Sequence, residues 1–287
     1  MCSGVDNNTL HQSQWAQPGR QCSDVVFMRE LTLGVSKMTK TPLAGFENDA
    51  SAYYDRIAMN LASAVFDRLG VPPGPVRLQE ETLLRVAHCL KTGFGISTLN
   101  CTSDAIKRIC GVGQSSKAGP VTWAAVSSLL FEAQDILGTG LTFQNPTCTL
   151  THKRHSDGFV DDTTTCQALL AWLRATPTLE TMFNGLLNDT QTWEQLLWTS
   201  GGLLSLEKCA LWILCWKFNA DGRGALMTKA ELDAPPMLLT TGDTGKLQEV
   251  QQLDLHDPFK TLRTNKTISG DQQSQTTKMK NMSDACA

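Results

Sequence analysis

Two neighbouring aspartates close an apolar pair in Phe159-Val160-Asp161-Asp162, and threonines Thr163 to Thr165 follow. Adjacent carboxylates repel one another and are costly unless water or a cation compensates them. At the tip of a β-hairpin the pair could bind Mg²⁺ while the ion keeps most of its waters. A solvated turn is the plainer reading of two aspartates alone. A second acidic group lies far upstream: Leu43-Ala44-Gly45-Phe46 reads as a short buried strand that ends on Glu47-Asn48-Asp49. Aspartates brought by two strands to one sheet edge can hold two metal ions ~3.5–4 Å apart. Such ions clamp the attacking and leaving oxygens of a phosphoryl transfer. An all-oxygen set of Asp49, Asp161 and Asp162 favours Mg²⁺ or Mn²⁺, where histidine or thiolate would favour Zn²⁺. Asp55, six residues after Asp49, also reads as a first-turn carboxylate favoured by a helix dipole.

The elements that must position these groups follow from periodicity and turn residues. Pro18-Gly19 marks a turn, and Ser23 or Asp24 can cap a helix with Val25, Val26, Met28 and Leu31 on its apolar face. Gly34 to Pro42 reads as a loop. Helical spacing of Tyr54, Ile57, Leu61, Val65 and Leu69 predicts a long helix from Ala52, stopped by Gly70. A second helix is expected from about Pro75 to Leu90, and a strand over Thr92–Leu99. Pro120 opens a buried helix over Val121–Ile136. Leu141–Thr151 and Gly158–Val160 read as strands, joined by the basic Lys153-Arg154-His155. Helices are expected over Cys166–Arg174 and Leu179–Thr199, the latter ending at Gly201-Gly202, and strand over Ser205–Phe218. Residues 219–287 read as polar, with a weakly structured tail.

Composition bounds the function classes. A chain of 287 residues with 41% hydrophobic and 18% charged residues is globular rather than disordered. Its apolar runs are too short and interrupted to span a bilayer, so no membrane partner is expected. The N-terminal residues lack the apolar stretch of a signal peptide. Ten cysteines without Cys-x-x-Cys pairs predict reduced thiols in an intracellular protein. The net charge of −3 gives no global pull towards nucleic acid, and leaves a local basic groove open.

Taken in order, these segments resemble the reverse transcriptases, particularly those of retrotransposons without long terminal repeats and of group II introns. The resemblance runs from about Gln17 to Arg263. Pro18-Gly19-Arg20-x-Cys22-x-Asp24 resembles the stretch before the first catalytic motif, and Asp49-x-x-x-x-Tyr54-Asp55 resembles motif A. Gln114-Ser115-Ser116-Lys117-Ala118-Gly119-Pro120 is similar to motif B, and Phe159-Val160-Asp161-Asp162 to motif C. Gly202-Leu203-Leu204-Ser205-Leu206-Glu207-Lys208 resembles motif D, and Phe259-Lys260-Thr261-Leu262 resembles motif E. The order and separation of the set carry the resemblance; each motif alone is weak.

The resemblance implies an α+β fold: a polymerase palm, with an antiparallel sheet backed by helices, and part of the fingers. Partial fingers or linker would occupy 1–45, and the palm 46–218 with a fingers segment at about 71–113. Residues 219–287 would form the palm edge and tail. Leu43–Asn48 and Gly158–Val160 would be neighbouring strands, with the helices from Ala52 and Leu179 on the far face. It further implies RNA-directed DNA polymerisation with an RNA template, a DNA primer, deoxynucleoside triphosphates and two Mg²⁺ or Mn²⁺ ions. Asp49 and Asp161 would hold the metals, with Asp162 in support. Gln114 would touch the incoming nucleotide, and Tyr54 would lie under its sugar to exclude a ribose, with Tyr53 turned away. Lys208 could protonate the pyrophosphate, and Arg20 could contact template phosphate; a surface lysine and a solvated turn arginine are the plainer alternatives.

The chain departs from the pattern in places. Ser115 stands where a glycine follows the glutamine, and Arg263 where motif E has glycine. Sixteen residues before Gln17 are too few for the first fingers strands, which predicts a fragment or a decayed copy. Two other readings therefore stay open: an inactive remnant that at most binds RNA, and another two-metal palm enzyme such as a nucleotide cyclase. The glutamine loop and the position of Tyr54 argue against the cyclase.

Overall fold

The apolar run ending in Asp49 forms the central strand of a five-stranded sheet. A computed structural model describes residues 10–51, 53–102, 111–112, 117–145, 147, 149–160, 162–168, 178–242, 244–261, 264–271 and 273–286. In chain order the elements are α1 (Cys22–Thr39), β1 (Leu43–Asp49), a 3-10 turn (Tyr53–Asp55), α2 (Met59–Arg68), α3 (Pro73–Arg85), β2 (Ala87–Thr92), β3 (Gly95–Thr102), α4 (Ala118–Leu137), β4 (Leu141–Gln144) and β5 (Thr151–Arg154). There follow β6 (Ser156–Phe159), β7 (Asp162–Ala168), α5 (Leu179–Thr199), β8 (Ala210–Leu214), β9 (Trp216–Phe218), β10 (Gly224–Leu226), α6 (Lys229–Leu232), β11 (Leu238–Thr240), β12 (Leu247–Glu249), β13 (Gln251–Gln252), β14 (Phe259–Thr261), β15 (Thr264–Lys266) and α7 (Gln273–Cys286).

The sheet order is β13-β8-β1-β7-β6. The last four strands are antiparallel, and β13 joins β8 in parallel, so the class is α+β with a mixed sheet. Side chains of β1 alternate between two cores, as the period of two requires. Ala44 and Phe46 join Leu211 and Ile213 against α4 and α5, where Phe131, Leu186, Trp193 and Leu197 are buried. Leu43 joins Trp212 and Leu214 on the opposite face, against Leu33 of α1, Leu141, Leu255 and Ile268. Helix α2 packs on α4 through Val65, Phe66 and Ala125. Among the described residues no helix is long and apolar enough to cross a membrane.

Several expectations are corrected. Cys166 to Ala168 belong to strand β7, not to a helix; residues 169–177 lie outside the described residues. The run of β-branched threonines suits a pleated strand, and β7 pairs with β1 along its whole length, Leu43 to Ala168 through Asp49 to Asp162. Strand β7 thereby separates β1 from β6, which share a sheet without being neighbours. Leu141–Thr151 is not one strand: β4 and β5 form a hairpin, and Lys153-Arg154 lie within β5 rather than in a connection. The predicted helix from Ala52 begins only at Met59, because the backbone before it is engaged elsewhere. Ala58 N–H donates to the Ser200 carbonyl at 2.8 Å, and the Ile57 carbonyl accepts from Gly111 N–H at 3.0 Å. The helix expected to Leu90 stops at Arg85, where Ala87–Thr92 pairs across a glycine turn with Gly95–Thr102.

Helix α1 continues through Gly34 to Thr39, and its inward face mixes Val25 and Leu33 with polar residues. Arg29, Thr32 and Ser36 are buried, whereas Leu31, expected inside, is exposed with Phe27, Val35 and Met38. Nor is the C-terminal segment a loose tail. Met237, Leu239 and Val250 are buried in the same core as Phe46, and residues Gln273–Cys286 are helical.

Candidate active site

The antiparallel register places Asp49, the last residue of β1, directly opposite Asp162, the first of β7. Directly opposed residues in an antiparallel pair project from the same face with Cβ atoms ~4.5–5.5 Å apart. The two carboxylates thus stand together at one end of the sheet, on the face away from α5. The Asp49 side chain is 38% exposed, and Asp162 is half-buried. Asp161, expected as the main partner of Asp49, and Gln114 both lie outside the described residues.

One row further along the same face stands Glu47, and its situation is different. Its carboxylate accepts from Thr164 Oγ1 at 2.7 Å and from Trp212 Nε1 at 3.2 Å, and pairs with Arg29 at 3.6 Å. A partly buried carboxylate so engaged is committed to the fold. Asp49 instead faces outward from a backbone that is firmly held. Its carbonyl accepts from Ser205 N–H at 2.8 Å, its N–H donates to Cys209 Sγ at 3.4 Å, and Ser51 N–H donates to the Leu203 carbonyl at 2.7 Å. Burial pushes the Cys209 thiol up to about 12, and the nearby Asp49 carboxylate adds to the shift. It is therefore a protonated thiol near neutrality, and the outward donors at this edge are oxygens. Two carboxylates on adjacent strands fit a hard cation such as Mg²⁺ or Mn²⁺. Among the described residues no group of three or more His, Cys, Asp and Glu side chains converges on one point.

The turn that grips the end of β1 also delivers Lys208. Lys208 N–H donates to the Ser205 carbonyl at 2.8 Å, and its ammonium lies 3.7 Å from Asp49 Oδ1. The lysine is 62% exposed, so the ion pair adds little stability but puts a mobile cation beside the carboxylate pair. Tyr54 lies in the 3-10 turn, half-buried against the main core, and its carbonyl accepts from Val112 N–H at 2.8 Å. Gly111 has φ +92°, and a Cβ there would lie 2.4 Å from the Asp55 backbone. That stretch, just ahead of Gln114, is thereby stapled to the Tyr54 turn. The Tyr53 side chain lies outside the described residues.

Arg20 is not brought to the pair. Residues 13–15 run along the outer edge of β6, where Trp15 N–H donates to the Gly158 carbonyl at 2.8 Å. The Arg20 guanidinium stacks 4.7 Å from the Trp15 ring centroid and donates to the Gln12 carbonyl at 3.0 Å.

Sequence reading missed one residue that touches the aspartate turn. Trp123, buried in α4, donates its indole N–H to the Val160 carbonyl at 2.7 Å. Val160 has φ +60°, a conformation that costs an L-residue ~1–2 kcal/mol and is an outlier for a β-branched one. The available signal was chemical: a buried indole N–H usually finds an acceptor.

No protein-family model matches this chain, and no curated protein matches it significantly.

Proposed function

We propose that this chain carries the palm of an RNA-directed DNA polymerase of the reverse transcriptase class. In this reading it adds deoxynucleotides to a DNA primer on an RNA template. The observation that carries the proposal is the Asp49–Asp162 pairing at the end of an antiparallel strand pair, with Lys208 beside Asp49. Two Mg²⁺ ions held there would supply charge stabilisation to the attacking 3′-oxygen and the leaving pyrophosphate. Asp49, Asp162 and Asp161 would orient that site, and Lys208 would give a proton to the pyrophosphate. Tyr54 would exclude a ribose by bulk, since a deoxy sugar offers nothing extra to attract.

The test is extension of a DNA primer on an RNA template with Mg²⁺. Asp49→Ala and Asp162→Ala should each lower the rate by at least ~100-fold, the scale of lost transition-state charge stabilisation. Tyr54→Val should raise ribonucleotide use. Ser115, standing where motif B has glycine, favours a second reading in which the chain binds primer–template but does not extend it. Binding without extension would select that reading. Extension unaffected by either aspartate substitution would refute the first.

A further inference from the structure

We infer that Trp123 is a positioning residue for the aspartate turn. Its indole N–H holds the Val160 carbonyl, keeps Val160 left-handed, and so sets how the hairpin enters Asp162 opposite Asp49. The inference rests on the cation-binding reading of that pair.

Three described non-glycine residues have positive φ: Lys40, Asp233 and Val160. Lys40 and Asp233 are C-caps, of α1 and α6, where the left-handed conformation is routine. Val160 caps no helix and carries a β-branched side chain, so the surrounding structure must hold it. Phe159 pairs with Asp162, so Val160 lies inside the turn that those two residues close. The holder is a rigid one. Trp123 is 2% exposed, and its helix is buried continuously from Thr122 to Ser128. The same helix meets the hairpin a second time, two residues earlier. A Cβ on Gly158 would lie 2.6 Å from Phe131 Cζ, so β6 lies flush against α4. From the other side, Ser13 and Trp15 bracket Gly158 by hydrogen bonds of 2.9 and 2.8 Å. With β6 fixed at Gly158, the direction of the turn depends on the next anchor, the 2.7 Å bond from Trp123 to Val160. Ring packing alone would not need the N–H; holding the turn does.

The experiment uses the full chain, with Trp123→Phe alone and combined with Val160→Gly. Two properties are read: the backbone coupling of residue 160 by NMR, and the affinity for Mn²⁺ alone. Trp123→Phe should release residue 160 from the left-handed region and weaken Mn²⁺ binding about tenfold, equivalent to ~1.4 kcal/mol and to one net hydrogen bond. The double variant should recover most of that affinity, because glycine takes positive φ without a holder. A left-handed Val160 in the Trp123→Phe protein would overturn the inference, as would equal loss of affinity in the single and double variants. If Trp123→Phe does not fold, a folded, Mn²⁺-binding double variant supports the inference; failure of both assigns Trp123 to core packing and overturns it. A wild-type chain that binds no Mn²⁺ refutes the cation reading instead, and the coupling at residue 160 then decides the role of Trp123.

Discussion

Asp162→Asn should stabilise the metal-free protein while abolishing its response to divalent cations. Asp49 and Asp162 are cross-strand partners on one face, a geometry that puts their Cβ atoms ~5 Å apart, and that spacing is taken for their charges. At effective dielectrics of about 20 to 80, Coulomb's law gives ~0.8–3 kcal/mol of repulsion. Lys208, 3.7 Å from Asp49, and the partial exposure of both carboxylates bring this to the low end. Asparagine keeps the shape and one oxygen acceptor, so the net gain should be about 0.5–1 kcal/mol. In a protein of this size that is a rise of roughly 1–3 °C in Tm. A cation at 100 times its Kd should add ~2.7 kcal/mol to the wild type and nothing to the variant. Thermal unfolding of both proteins with and without Mn²⁺ reads all four values. An Asp162→Asn protein that melts several degrees lower without metal, and gains as much from Mn²⁺ as the wild type, would refute the reasoning. The expected pattern, stability lost in order to keep two carboxylates together, is the signature of a site rather than of a solvated turn.

Three further predictions concern the framework. Asp189 is fully buried and accepts from Thr139 N–H at 2.7 Å, Gly140 N–H at 2.8 Å and the Gln167 amide. Asp189→Ala should therefore cost ~3–5 kcal/mol in urea unfolding; a loss under ~1 kcal/mol would contradict the geometry. A Cβ on Gly45 would lie 2.1 Å from Trp212 Cζ2. Gly45→Ala should cost ~1–3 kcal/mol, and an unchanged urea midpoint would show that Trp212 does not cover the strand. Asp135 lies between His11 and His155, at 2.9 and 2.6 Å. Partial burial pushes its carboxyl up, but hydrogen bonds and charge from the two histidines outweigh this and hold it well below the ordinary 3.8. A depressed carboxyl contributes stability above its unfolded value and loses it as pH falls through the folded one. The stability gap between wild type and Asp135→Asn should then be full near neutrality and narrow in acid below 3.8; a gap constant across that range would contradict the assignment.

How far the sequence reveals this molecule depends on which signal each segment carries. Strand β1 was legible because an apolar run ends in a burst of acids. Helix α5 was legible to the residue, with Thr178 accepting from Thr181 N–H at its start and Gly201 at φ +92° beyond its end. Helix α1 was cut short because Gly34 reads as punctuation. Its inward face interleaves Arg29, Thr32 and Ser36 with Val25 and Leu33, which blurs the hydrophobic period. Strand β7 was lost for a related reason: its buried threonines look polar, although they are β-branched and fit a pleat. The C-terminal core residues Met237, Val250, Leu253 and Ile268 are too sparse to show any period. At the site, the aspartates and Lys208 could be picked out by type and order. Which carboxylate faces Asp49 could not, because one residue of register decides it. Nor could sequence separate Glu47, tied into the fold by three partners, from Asp49 two residues later.

Whether Asp49 and Asp162 share a divalent cation can be read from anomalous diffraction of full-chain crystals soaked in Mn²⁺. A peak is expected within coordination distance, ~2.0–2.2 Å, of carboxylate oxygens from both residues, and it should be lost in Asp49→Asn crystals. A saturated soak with no peak between the two side chains, or a peak that survives Asp49→Asn, would contradict it.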